Sequence, residues 1–401
     1  MVNRDEALSM VLKETSLGSV EEKSILDCLD KVLYEDIYSK DNLPPFHKSA
    51  MDGYAIKSKD TAGALEDAPV QFNIIGIIKA GQFPEEELKS GEAFKIMTGA
   101  PLPKGSDAVI QIEKVKNKED KLSVYEEVDI FENVIKRGEE IKSGEIALTK
   151  GTVIRPFEIG LLASLGYSRI PVYRTPIVSI IVTGDELLSI DSELKLGKIR
   201  NSNEYSLRAL IKNMGARALS FGVVEDSKEV LIDRVKQALE HSDVVLTSGG
   251  ASKGDYDFVE DVLRELEADI KFTSVGIKPG KPLSFAKVKD KLFFSLPGNP
   301  LAAITTFQEF VKPACEKIMG KTTDIDIFPV ILADDYNTKK GRRKYIYVNI
   351  QKVQGVYYAY KIDSQSSSGL KAVTKSNGIV ILPEEKGSVK SGEILNGYFI
   401  F

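Results

Sequence analysis

The sequence predicts a multidomain chain of α/β and β architecture. A central doubly wound α/β domain is flanked by an N-terminal helical and extended module, an inserted small β domain and a C-terminal β domain. Three observations carry this. At 401 residues the chain is too long for one ordinary core. Between Pro176 and Gly320, short apolar runs alternate with amphipathic helical stretches, the signature of a sheet covered by helices on both faces. Outside that region, past the first forty-five residues, short β-like runs bounded by turn residues predominate.

Taken in order, the N-terminal module comprises residues 1–53 and 147–175. Asn3 with Glu6, and Ser19 with Glu22, are N-cap signatures ahead of apolar periodic stretches, so the first forty-five residues read as helical. The paired prolines of Asn42-Leu-Pro-Pro-Phe46 then impose an extended segment. The inserted β domain spans 54–146, with runs at Val70–Ile78, Ala108–Val115 and Lys121–Val128 and a hairpin tip at Lys116–Asp120. Pro156–Gly166 reads as a short helix returning to the first module.

The α/β domain spans 176–320. Strand Ile177–Val182 precedes a helix with Leu207, Leu210, Ile211 and Met214 on one face, ending at Gly215. Strand Leu219–Val224 follows, then a helix opening at Asp226 with Glu229 three residues on. Strand Asp243–Thr247, helix Phe258–Leu266, strands Ile270–Val275 and Lys291–Leu296, and helix Leu301–Met319 complete the unit. The alternation predicts a parallel sheet, with ligands beyond the carboxyl ends of its strands. Residues 321–401 are strand-rich again and form the last β domain, with loops at Lys339–Lys344 and Ser364–Gly369.

Composition excludes several classes of function. Net charge is −5, from 54 basic and 59 acidic residues, which argues against non-specific nucleic-acid binding. No apolar run reaches membrane-spanning length, and Met1–Glu6 lacks a charged-then-apolar leader pattern, so the expected location is cytoplasmic. Cys28 and Cys315 read as buried structural thiols. With only two Cys and two His, a zinc site of the usual ligands is not expected, and any metal should be a hard one held by carboxylates.

Three loops of the α/β domain concentrate the chemistry. Gly249-Gly250-Ala251-Ser252-Lys253-Gly254-Asp255-Tyr256-Asp257 offers backbone N–H groups to an anion, and its aspartates offer oxygens to a hard cation. Lys278-Pro-Gly-Lys-Pro282 holds two lysines on a tight turn, and Leu296-Pro-Gly-Asn-Pro300 follows another strand. Singly, each is an ordinary loop; three after strands point to a site for phosphate, magnesium and a second oxyanion. Ser49-Ala-Met-Asp-Gly-Tyr54 and Met97-Thr-Gly-Ala-Pro101 read as tight turns carrying a carboxylate and a hydroxyl. In Thr183-Gly-Asp-Glu-Leu187 a ligand-facing acid and a mere cap are equally supported, and Asp226 doubles as an N-cap.

In this order the motifs, together with Pro44-Pro-Phe46, resemble the molybdopterin molybdenumtransferases, the MoeA proteins related to the E domain of gephyrin. The resemblance covers essentially the whole chain and implies that the α/β domain is of the molybdopterin-binding type. It implies insertion of molybdate into adenylyl-molybdopterin, with Mg²⁺-dependent release of AMP, by an elongated homodimer of four-domain subunits. Molybdopterin adenylyltransferase is the implied protein partner; neither nucleic acid nor membrane is. By the same resemblance Lys278, Lys281 and Arg342 hold the oxyanion, with Ser367 or Ser368 lining its site. Gly249, Gly250, Ser252, Gly254, Pro297, Gly298 and Asn299 bind the substrate, and Asp226 and Asp257 serve magnesium. Asp52, Thr98 and Glu186 match the required acid, hydroxyl and acid, with either the same or the partner subunit as the source of the first two. His47-Lys48 and Ala302 depart from the family pattern, and Arg343 competes with Arg342 for the role of site arginine. A tungstate-inserting paralogue, a molybdopterin adenylyltransferase and a gephyrin-like scaffold are the alternative readings.

Overall fold

The structure, a computed structural model, describes residues 1–225, 227–249, 259–322, 325–362 and 369–400. The chain divides into two compact units, one of Lys23–Leu29 and Glu35–Ile170, the other of Met1–Glu22, Asp30–Tyr34 and Pro171–Phe401. Among the described residues no helix is long and apolar enough to cross a membrane.

The smaller unit is built on a six-stranded sheet in the order Ala108–Gln111, Gly53–Ile56, Glu92–Ile96, Val70–Ile78, Lys121–Val124, Val115–Lys118. Its hairpin turns at Glu119 and Asp120, with Glu119 at φ 55°. Tyr54, Ile56, Phe72, Ile110 and Leu122 alternate inward to form one core cluster. Pro156–Ser164 is helical as expected, its first turn closed by Glu158, whose carboxylate accepts the Arg155 N–H at 2.9 Å.

The larger unit holds a six-stranded sheet in the order Arg217–Val224, Ile177–Thr183, Val244–Ser248, Lys291–Leu296, Ser284–Val288, Asp269–Phe272. The first four strands are parallel, as the alternation predicts. Ser284–Val288 is a strand the sequence reading lacks, and it runs antiparallel to both neighbours. The sheet is therefore mixed rather than wholly parallel, because a short turn at Lys289 and Asp290 cannot carry a helical crossover. Asp269–Phe272 consequently runs in the direction of the parallel strands, and its carboxyl end lies at the same edge as theirs.

A second sheet in this unit closes on itself. Arg343–Val353 pairs with both Val356–Lys361 and Gly378–Leu382, and Phe328–Leu332 with Ile394–Phe399 completes the ring. Ile277–Lys278 joins it as a short parallel strand beside Arg343 and Lys344.

Three helix expectations change. Asn3 caps Arg4–Glu14, accepting the Glu6 N–H at 2.8 Å, but Ser19 opens no helix. Val20–Ser24 is a strand, and Ser19 accepts the Arg174 N–H at 2.9 Å; tertiary pairing overrides a local cap signal. Asp226 lies outside the described residues, and the helix Lys228–His241 has Ser227 at its N-cap. Leu301–Met319 is not one regular helix: Pro300–Thr306 and Lys312–Ile318 flank a π-turn at Phe307–Val311. Pro313 has no N–H to offer the carbonyl of Glu309, and a widened turn accommodates that lost bond. The turn carries Glu309 into the interior, where Arg4 Nε at 2.8 Å, Tyr345 OH at 2.7 Å and Tyr398 OH at 3.2 Å donate to it. Both cysteines are buried, and neither forms a disulfide among the described residues.

Candidate active site

In the smaller unit, strand register brings the first pair together. Gly53 lies opposite Ile96, so Asp52 meets the turn that follows Ile96. Asp52 Oδ1 accepts the Thr98 backbone N–H at 2.7 Å and the Thr98 hydroxyl at 2.8 Å. These donors, the backbone one foremost, hold the Asp52 carboxyl below its ordinary pKa, with Lys95 adding to the effect. Both side chains are exposed. Glycine is required beside Asp52, since a Cβ on Gly53 would stand 2.1 Å from the Ile110 carbonyl oxygen.

In the larger unit, the carboxyl edge of the parallel strands forms a small polar cavity of about 60 Å³. Thr183, Glu186, Asn203, Ser248, Gly249 and Gly298 contribute to its wall. Gly249 sits at φ 101°, and a Cβ there would meet the Thr183 carbonyl oxygen at 2.2 Å; strand and loop touch through a position only glycine can occupy. Asn203 opens the helix Asn203–Asn213 and donates to Ser248 Oγ and to the Gly298 carbonyl, each at 2.8 Å. Its Oδ1 and the Thr183 hydroxyl are buried without a hydrogen-bond partner among the described residues. Buried polar atoms of that kind call for a ligand or water. Glu186 is exposed at this rim, and no hydrogen bond to its carboxylate is found among the described residues, so it does not cap the following segment. Asn203 escaped the sequence reading, since nothing local marks it apart from an ordinary asparagine at a helix start.

The third loop is used differently from expectation at one point. Pro297 and Gly298 present carbonyls to Ser248 Oγ and Asn203, whereas the Asn299 side chain accepts the Leu301 N–H at 3.2 Å and caps the next helix.

The cationic loop follows Asp269–Phe272. Lys278 and Lys281 are exposed on a turn in which Gly280 adopts φ 113°. Parallel register sets Lys278 beside Lys344. Lys344 is 7% exposed, and burial first, then the like charges of Lys278 and Arg342, push its pKa down. Arg343 is committed elsewhere: its guanidinium donates to Asp5 at 2.9 and 2.6 Å and pairs with Glu384 at 3.3 Å. No such ion pair of Arg342 is found among the described residues, and its charge acts on Lys344 together with that of Lys278. Lys344 was missed as well, because its place beside Lys278 comes from a pairing between segments distant in sequence. Asp226, Gly250, Ser252, Gly254, Asp257, Ser367 and Ser368 lie outside the described residues. No group of three or more His, Cys, Asp or Glu that could hold a metal ion occurs among the described residues.

Comparison with known proteins identifies the family. Three family profiles match in succession: "MoeA N-terminal region (domain I and II)" over residues 2–166, "Probable molybdopterin binding domain" over 179–317, and "MoeA C-terminal region (domain IV)" over 329–398. The molybdopterin molybdenumtransferase of Staphylococcus epidermidis is 35% identical over 396 residues, 98% of this chain and 94% of that protein. That of Bacillus subtilis is 34% identical over 393 residues, 97% of this chain and 91% of its own. A solved structure of a molybdopterin biosynthesis MoeA protein from Pyrococcus horikoshii OT3 superposes with a TM-score of 0.84 at 30% identity, covering 100% of both chains. With its sequence matched nearly end to end and its fold shared, the chain belongs to the MoeA family of molybdopterin molybdenumtransferases and is an enzyme of molybdenum cofactor biosynthesis.

Proposed function

We propose that this enzyme inserts molybdate into adenylyl-molybdopterin with Mg²⁺-dependent release of AMP. One observation carries the reading: the parallel register of Ile277–Lys278 with Arg343–Lys344, which brings Lys278 and Lys344 side by side with the charge of Arg342 close by. A tetrahedral dianion is the natural ligand of such a cluster. The polar cavity around Asn203 and Thr183, with its unpartnered buried oxygens, suits a pterin ligand rich in donors. Holding the oxyanion next to the dithiolene sulfurs of that pterin makes metal insertion effectively intramolecular.

Within this proposal Lys278, Lys281 and Arg342 bind the oxyanion, and Glu186 orients the pterin or moves a proton. Magnesium would supply charge neutralisation at the phosphoanhydride, and its implied ligands Asp226 and Asp257 lie outside the described residues. A cytoplasmic homodimer whose second subunit contributes Asp52 and Thr98 belongs to the proposal, as does a division into four domains at 54, 147, 176 and 321. So does association with the adenylyltransferase that supplies the substrate. Tungstate is a second reading, because it is a dianion of the same shape and nearly the same size as molybdate, and the same cations would hold it.

The test is direct. Purified protein is incubated with adenylyl-molybdopterin, magnesium and either oxyanion, and AMP release and metal incorporation are followed. Oxyanion-dependent AMP release is the expected result; release that ignores both oxyanions, or no release, overturns the assignment. Sedimentation at micromolar concentration checks the dimer separately.

A further inference from the structure

We infer that Lys344, which no motif assigns, is a ligand of the oxyanion in its own right, seated beneath Lys278 and Arg342. The inference rests on the oxyanion-binding reading above and adds to it the residue that forms the floor of the site.

Three features of the fold lead there. Lys344 stands directly across the parallel ladder from Lys278, so the two side chains leave the sheet on one face. Arg342 lies two residues before it, just ahead of the strand, and its positive charge reaches Lys344, whereas the Arg343 guanidinium is held by Asp5 and Glu384. Lys344 is also buried, at 7% exposure, unlike the exposed Lys278 above it.

The second argument is what Lys344 lacks. Its Nζ donates to the Arg342 carbonyl at 3.3 Å, and no other hydrogen bond or ion pair of this group is found among the described residues. An ammonium has three N–H donors, so two are left for a ligand. Glu384, the acid whose charge reaches Lys344, is paired with the Arg343 guanidinium at 3.3 Å. A buried cation with like charges for neighbours and no dedicated carboxylate is costly to fold. Such an arrangement makes physical sense when an anion completes it, and a dianion bound between Lys278, Arg342 and Lys344 would do so. The downward push on its pKa by burial and by those two neighbours is the electrostatic mark of the same incomplete site.

The experiment measures molybdate binding to the full-length protein by calorimetry, with melting temperature recorded with and without molybdate. Variants are Lys344→Met, Lys344→Gln and Lys278→Ala. Lys344→Met and Lys344→Gln are expected to weaken molybdate binding by about 10-fold or more, since a hydrogen bond between charged groups is lost. They should melt at or above the wild-type temperature without molybdate, and molybdate should no longer raise their melting temperature as it does that of wild type. If both bind molybdate like wild type while Lys278→Ala does not, Lys344 is only structural and the site reading stands. If both fail to fold, the cation is a structural requirement and the inference also falls. If Lys278→Ala and the Lys344 variants all bind like wild type, or wild type itself binds no molybdate, the oxyanion site is elsewhere and the underlying reading fails with it.

Discussion

Single side chains set what each site can do. Asp52 is held ionised by two donors from one residue, the Thr98 N–H and hydroxyl. Because its folded pKa is depressed, those contacts are intact above the ordinary carboxylate range and are lost as pH falls through the lowered value. Removing one donor with Thr98→Val should move the acid limb of the pH–rate profile upward, and carbon-detected titration of the Asp52 carboxyl should move with it. An unmoved limb would separate Asp52 from catalysis. Asp52→Asn should lower turnover by roughly 10²-fold. Glu186 has no cap to maintain, so Glu186→Gln should leave the melting temperature nearly unchanged while turnover falls by roughly 10²-fold or more. Near-normal turnover in that variant would reduce Glu186 to a bystander at the rim.

At the scale of elements, close contacts rather than propensities fix the geometry. Gly53 and Gly99 flank the same Asp52–Thr98 pair but are required for different reasons. A methyl on Gly53 would collide with the backbone of Ile110, whereas Gly99 has open space and a φ of 79°. Gly53→Ala should destabilise by at least about 1–3 kcal/mol, through strand displacement. Gly99→Ala should cost about 1–2 kcal/mol, through backbone strain alone. Urea midpoints separate the two, and only Gly53→Ala should also disturb activity beyond its stability loss. The π-turn at Phe307–Val311 is a second such device. It delivers Glu309 to Arg4, Tyr345 and Tyr398, and thereby ties the first helix and the closed β-sheet to the α/β sheet within one core.

For the whole molecule, two compact units with separate cores imply that unfolding is not a single transition. Glu309→Ala leaves Arg4 without its buried partner and should cost the larger unit about 3–5 kcal/mol. Gly53→Ala lies in the other unit. In calorimetry each variant should lower one thermal transition and spare the other, and the double variant should show the sum of the two effects. A single transition that shifts in both variants would mean the units unfold as one.

The sequence by itself determined the α/β and β character, the flanking of a central sheet by β regions, the glycine- and lysine-bearing loops after the strands and the family. Each of these is written in local periodicity, in Gly and Pro placement, or in motif order, and none depends on distant contacts. Tertiary structure decided the rest. Val20–Ser24 became a strand because pairing outweighed a cap signal, and Ser284–Val288 reversed because its connection is a short turn. Arg343 was set opposite Ile277, and Lys344 opposite Lys278, only by the register between Ile277–Lys278 and Arg343–Lys344. Neighbouring residues on a strand face opposite ways, so a one-residue change of register exchanges site and scaffold, and no local pattern in the sequence fixes a pairing between segments that far apart.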